Sequence, residues 1–233
     1  MDIPRTLEDV RRPARLALIV SDMQVGILRQ LEDRGAGVLA KVLAVLQAAR
    51  DAGVRVIFMR HLSMPKELMG AFQMRQAMAW QRVDSVDQVT PWFLPQSPAF
   101  QLAPELTVRP SEAVLDKITF SAFEGTPLAI VLRDCGVTGF AIVGAATEIG
   151  IEPTVRHGSD LGLIPVVVAD ACAAGHPEMG AHAVALLRFL GDAMFTDTRE
   201  LCDVLSTYSA KTSCASLATG DHIVRASPDA ASI

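Results

Sequence analysis

The sequence predicts an α/β domain: a mainly parallel sheet of six strands with helices on both faces. Three observations carry this reading. Short apolar runs alternate with helix-like segments from residue 15 to residue 208. The runs are continuously apolar rather than apolar at every second position, as expected of strands covered on both sides. Several helix-like segments are punctuated by proline in the first turn or glycine just past the end.

The elements follow in order. "RLALIVSD" (15–22) reads as a buried strand that ends in polar residues. "GVLAKVLAVLQAARDAG" (37–53) carries apolar residues at helical spacing and stops at Gly53. "VRVIFMR" (54–60) and "EAVLDK" (112–117) are the second and third strands. "TPLAIVLRDCG" (126–136) is a helix with Pro127 in its first turn and Gly136 beyond its end. "GFAIVG" (139–144) is the fourth strand, "EPTVRHGSDLG" (152–162) a helix and "LIPVVVAD" (163–170) the fifth strand. "GAHAVALLRFLGD" (180–192) is helical, "AMFTD" (193–197) is a short sixth strand and "TRELCDVLSTY" (198–208) is the last helix.

Residues 1–208 therefore form one domain, and 209–233 read as an irregular tail or a partner-crossing arm. Residues 61–111 break the alternation, being first rich in methionine and then in proline. Such an insertion suits a pocket wall or lid, and equally a core-packing helix followed by a surface crossover.

Composition narrows the function classes. The chain has 233 residues, half of them hydrophobic, and a net charge of −5, which allows a sizeable core and gives no basic stripe for nucleic acid. The apolar runs fall short of the ~20 residues a membrane helix needs. Cys135, Cys172, Cys202 and Cys214 show no zinc-like spacing. With no leader segment, they read as reduced thiols of a cytoplasmic protein. A small-molecule substrate, no cofactor and a homo-oligomer, dimer or larger, are expected.

In a parallel sheet, ligands bind at the carboxyl ends of the strands. Asp22 ends the first strand, Lys117 ends the third, and "GAATEIG" follows the fourth. Convergence of these ends would make an acid–base pair, although Asp22 could instead cap a helix and Lys117 could lie on the surface. Pro153 places a helix start near Gly150, so the N–H groups of Gly150 and Ile151 are expected to be free to hold an oxyanion or a carboxylate. The alternative is that Gly150 is only an N-cap.

In order, "LALIVSDMQ", "VLDKITFSAFEGTPL" and "FAIVGAATEIGIEPTVRHGSDLGLIPVVVADA" resemble the isochorismatase-like hydrolases over roughly residues 15–172. The resemblance implies a three-layer α/β/α fold with a six-stranded parallel sheet, usually oligomeric. It also implies an Asp–Lys–Cys triad, with Asp22 and Lys117 at the first two positions. The Cys position falls on Gly150, which carries no nucleophile. A non-proline cis peptide is implied near Ala145, Ala146 and Thr147, and Ala146, Thr147, Gly150 and Ile151 become oxyanion or substrate-binding candidates.

Gln24, His61 and Phe123 are pocket candidates, although Gln24 could equally serve loop backbone. One histidine, His61, cannot supply the metal set seen in some relatives, so no metal is expected. Cys135 is expected to be a buried structural thiol. Three functions stay open: hydrolysis without a thiol, with Asp22 as acid or base and Lys117 as electrostatic partner, on a small anionic or carbonyl-bearing metabolite; a retired relative that binds a ligand or partner; and amide hydrolysis by activated water or by a relocated thiol such as Cys172.

Overall fold

The computed structural model describes residues 3–216. Its elements are α1 (Leu7–Val10), β1 (Leu16–Ser21), α2 (Val25–Leu28), α3 (Ala36–Asp51), β2 (Arg55–His61), α4 (Ala71–Gln81), β3 (Ala113–Lys117), α5 (Leu128–Asp134), β4 (Gly139–Ala145), α6 (Glu152–Asp160), β5 (Ile164–Ala173), α7 (Pro177–Leu190), β6 (Met194–Thr196) and α8 (Thr198–Ser216). Short 3-10 turns join several of them.

The six strands form one parallel sheet in the order β3-β2-β1-β4-β5-β6. Every residue of β1 and β4 is buried, so these runs are apolar without alternation. Successive side chains still point to opposite faces. Leu16, Leu18, Val20 and Phe58 join α3 and α8 in one core layer, with Val42, Leu46, Leu201 and Leu205. Ala17, Ile19, Met59 and Phe140 join α5, α6 and α7 in the other, with Leu132, Val155 and Leu187. Two hydrophobic layers around one sheet give the three-layer α/β/α architecture.

Strand order reverses at β1, whose neighbours are β2 and β4. A crevice therefore opens at the carboxyl ends of these central strands. The two strands come unusually close where they meet it. A Cβ on Gly144 would lie 2.0 Å from the carbonyl oxygen of Ser21, and Gly144 has φ 130°, so both space and backbone require glycine here.

Two expectations about the ends of the chain and the insertion change. The last helix continues to Ser216 instead of stopping at 208, because an Ala- and Ser-containing continuation can stay helical without an apolar stripe. The rest of the expected tail, 217–233, lies outside the described residues. In the insertion, α4 has no buried residue, so it is not a core-packing helix. It lies against the crevice through Gln76 and Trp80. Among the described residues no helix is long and apolar enough to cross a membrane.

Candidate active site

The chain leaves β1 at Asp22 in a left-handed conformation, φ 56°, which Asp tolerates better than most residues. Its N–H donates to the Met59 carbonyl at 2.9 Å, which fixes the turn against β2. Lys117 stands at the end of the edge strand β3, in register with His61 of β2. Its long stem spans the end of β2, and its Nζ lies 3.0 Å from Asp22 Oδ2. Both side chains are only 2–3% exposed, so the pair is desolvated. Lys117 Nζ also donates to the Thr119 carbonyl at 3.4 Å, and Ser21 Oγ donates to Asp22 Oδ2 at 3.3 Å. Asp22 Oδ1 is buried and has no hydrogen-bond partner among the described residues.

The third strand end supplies the turn 146–151. Ala146 takes φ 60°, and a π turn, Thr147–Ile151, leads into α6. The N–H groups of Ile149, Gly150 and Ile151 all donate to the Ala146 carbonyl, at 3.1, 2.7 and 3.3 Å. Gly150 and Ile151 therefore do not offer the free donors expected of them. The helical turn begins three residues earlier than Pro153 suggests, and one carbonyl gathers the donors. The first unpaired donors of such a turn belong to its first residues, here Thr147 and Glu148. The expected cis peptide is also absent: all peptide bonds among the described residues are trans, and the left-handed Ala146 makes the bend instead.

Gly150 faces the ion pair. A Cβ built on it would lie 2.7 Å from Asp22 Oδ2 and 3.6 Å from Lys117 Nζ. Asp22, Lys117 and Gly150 thus converge, with the carboxylate occupying the space next to the bare backbone. Thr154 ties this turn to the loop after β3, donating to the Gly150 carbonyl at 2.6 Å and accepting the Ala122 N–H at 2.9 Å.

Above the pair lies a cavity of about 300 Å³. Asp22, Lys117 and Ala146 line its interior, and His61, Trp80, Trp92, Phe93, Phe120 and Glu148 are among its walls. Burial, reinforced by the Lys117 charge and partly offset by Asp22, pushes the His61 pKa down to about 4, so this ring is neutral near pH 7. Glu148 Oε1 accepts the His176 N–H at 2.8 Å, while its Oε2 is buried without a partner among the described residues.

The other predicted residues are placed differently. Gln24 is fully buried and clamps loops: its Nε2 donates to the carbonyls of His61 and Phe100, and its Oε1 accepts the His61 N–H. No group is left to meet a substrate. Phe123 is not a cavity wall; it packs in the core against Phe140 and His157, and Phe120 of the same loop lines the cavity. Ile151 belongs to the core, and Thr147 is buried beside a separate groove, its Oγ1 unpartnered among the described residues. Cys135 is exposed at the end of α5, not buried, because the helix stops before it can turn inward. Cys172 lines the separate groove and not this cavity, and burial together with the Asp170 charge pushes its thiol up to about 12. Such a thiol stays protonated and is a poor nucleophile.

Residue-by-residue reading missed Glu148 and the aromatic walls. Glu148 stood within the quoted "GAATEIG", and Trp80, Trp92 and Phe93 stood within the irregular insertion. Nothing in their spacing signals a shared cavity. Among the described residues no cluster of three or more His, Cys, Asp or Glu is arranged to hold a metal ion.

Comparison with known proteins gives the family and agrees with the fold. The family model of the isochorismatase domain matches residues 16–200. Ureidoacrylate amidohydrolase RutB of Pseudomonas syringae pv. syringae (strain B728a) is 29% identical over 197 residues, which cover 78% of this chain and 80% of that protein. A cysteine hydrolase from Pseudomonas syringae pv. phaseolicola 1448A superposes with a TM-score of 0.72 at 23% identity, covering 84% of this chain and 94% of its own. N-carbamoylsarcosine amidase from Thermoplasma acidophilum gives 0.62 at 19% identity, with 79% and 96% covered. With the matched domain spanning most of the described sheet, the chain belongs to the isochorismatase family, within the isochorismatase-like hydrolases.

Proposed function

We propose that the protein hydrolyses a small carbonyl-bearing metabolite without an enzyme-bound thiol, using Asp22 to move the proton. The observation that carries this reading is the closeness of Asp22 Oδ2 to Gly150, 2.7 Å from where a Cβ would stand. The position that the resemblance assigns to a nucleophile is filled by the carboxylate of an ion pair. Asp22 Oδ1 has no partner among the described residues, so a small rotation of the carboxylate toward the cavity lets it meet a water molecule without breaking a hydrogen bond of its own.

The steps follow from these groups. Asp22 takes a proton from water, and the water oxygen bonds to the substrate carbonyl carbon. The carbonyl electron pair moves onto its oxygen, and the positive charge of Lys117 holds the negative charge that develops. As the carbonyl re-forms, the bond to the leaving group breaks and Asp22 returns the proton to that group. The amidohydrolase relative favours a carbonyl–nitrogen bond as the one cleaved. An anionic substrate held by Lys117 alone is less favoured, because that ammonium is already engaged by Asp22 at 3.0 Å.

The same pair could instead protonate a vinyl ether, so one assay serves both chemistries. Ammonia release is measured from a panel of small amides and ureido compounds, and pyruvate release from isochorismate. Turnover of any of these is expected to fall roughly 100- to 10,000-fold in Asp22→Asn. It is expected to persist in Cys172→Ala. Unchanged turnover in Asp22→Asn would sink the proposal, and loss in Cys172→Ala would favour a relocated thiol. Tight binding without turnover would mark a retired relative.

A further inference from the structure

We propose that the cavity recognises a cationic, N–H-bearing group on its substrate, with Glu148 as the recognition residue. This deepens the hydrolase reading and rests on it for the cavity's role.

The argument begins with unmet acceptors. Glu148 lines the 300 Å³ cavity, and only one of its carboxylate oxygens is used, by the His176 N–H. Oε2 is shielded from solvent and meets no donor among the described residues, and no ion pair to Glu148 is formed among them. A shielded carboxylate without a counter-charge is costly. A ligand cation that draws the Glu148 carboxylate toward the cavity and donates an N–H to it offsets that cost. Asp22, which lines the same cavity, also has an unmet acceptor, the buried Oδ1.

The inward-facing charges do not supply the missing donor. Lys117 is engaged by Asp22, and His61 is neutral near pH 7. Arg82 is on the solvent-exposed part of the lining, where screening weakens its field.

The walls point the same way. Trp80 and Phe120 meet edge to face at 6.5 Å, and His61 and Phe93 meet at 5.5 Å. Trp80 and Phe120 are each 38% exposed, and their further ring contacts, with His61 and Phe72, leave part of each ring uncovered. Aromatic faces attract organic cations, above all planar ones with delocalised charge. Together, these walls and an unmet carboxylate suit an amidinium, a guanidinium or an ammonium group.

The test reads affinity without turnover, so failure of the hydrolase reading and failure of this one are separate results. Benzamidine (cation), benzamide (its neutral isostere) and benzoate (anion) are titrated by NMR into the full chain, its Glu148→Gln variant and its Asp22→Asn variant. Wild type is expected to bind benzamidine at least tenfold more tightly than benzamide, as a charge-assisted hydrogen bond allows. In Glu148→Gln that ratio is expected to approach one while benzamide affinity holds, because Gln retains the carbonyl that accepts the His176 N–H. Tightest binding of benzoate, equal weakening of all three ligands in Glu148→Gln, or no benzamidine binding at millimolar concentration would each overturn the proposal.

Discussion

At the scale of single residues, Gly150 carries most of the consequence. Its backbone does not need the left-handed region, so alanine is conformationally acceptable there. The obstacle is the added methyl, 2.7 Å from Asp22 Oδ2. Asp22 has to rotate away, and the 3.0 Å contact with Lys117 lengthens. Gly150→Ala is therefore expected to lower turnover by an order of magnitude or more, at a stability cost of about 1–3 kcal/mol typical of overpacking. Turnover and urea melts of the same preparation check both. Asp22 and Lys117 were legible in the sequence because strand ends in a parallel sheet point one way. For Gln24 the backbone-serving alternative was legible, but not its partners, and the core position of Phe123 was not legible at all. Which way these side chains turn is decided by loops from residues 61 and 100, and by the ring of Phe140, far away in the sequence.

At the scale of elements, the π turn and the loop after β3 act as one piece. Thr154 joins them, and it is fully buried. Thr154→Val keeps the shape but leaves the Ala122 N–H without its acceptor. The expected cost is about 1–3 kcal/mol, since a buried donor loses its partner and regains no water. A matching fall in activity is expected because Lys117 and Gly150 lose their common anchor; chemical denaturation and initial rates measure the two effects. The six strands could be read from sequence since the central ones are continuous apolar runs and the edge strands β3 and β6 hold shorter apolar stretches between helix-like segments. The turn 146–151 could not, because its hydrogen bonding is set by the left-handed Ala146, a conformation that alanine does not advertise. The insertion was equally opaque: α4 has no buried face, so its periodicity carried little information.

At the scale of the whole molecule, the Asp22–Lys117 ion pair spans the sheet from centre to edge. Asp22 extends from β1, buried between β2 and β4, whereas Lys117 ends β3, which pairs with β2 alone. Two arginines fasten that outer strand. Arg50 of α3 grips both oxygens of Glu112 at 2.7 and 2.8 Å, and Arg60 grips Asp116 at 2.8 and 3.1 Å. Burial alone would raise the Glu112 carboxyl, but hydrogen bonds from Arg50 and Arg109 and their charges outweigh it and hold it below its ordinary value. Removing one partner of this part-buried, bidentate pair costs about 1–3 kcal/mol. In Arg50→Leu, turnover is expected to vanish at urea concentrations where the far-ultraviolet circular dichroism of the sheet and helices is still intact. Coincident loss of the two signals would show that the edge does not open separately. On the proposed mechanism half of the proton-handling groups hang from the outermost strand, so fraying that one margin is expected to silence turnover, and the working temperature range is expected to end before the fold does.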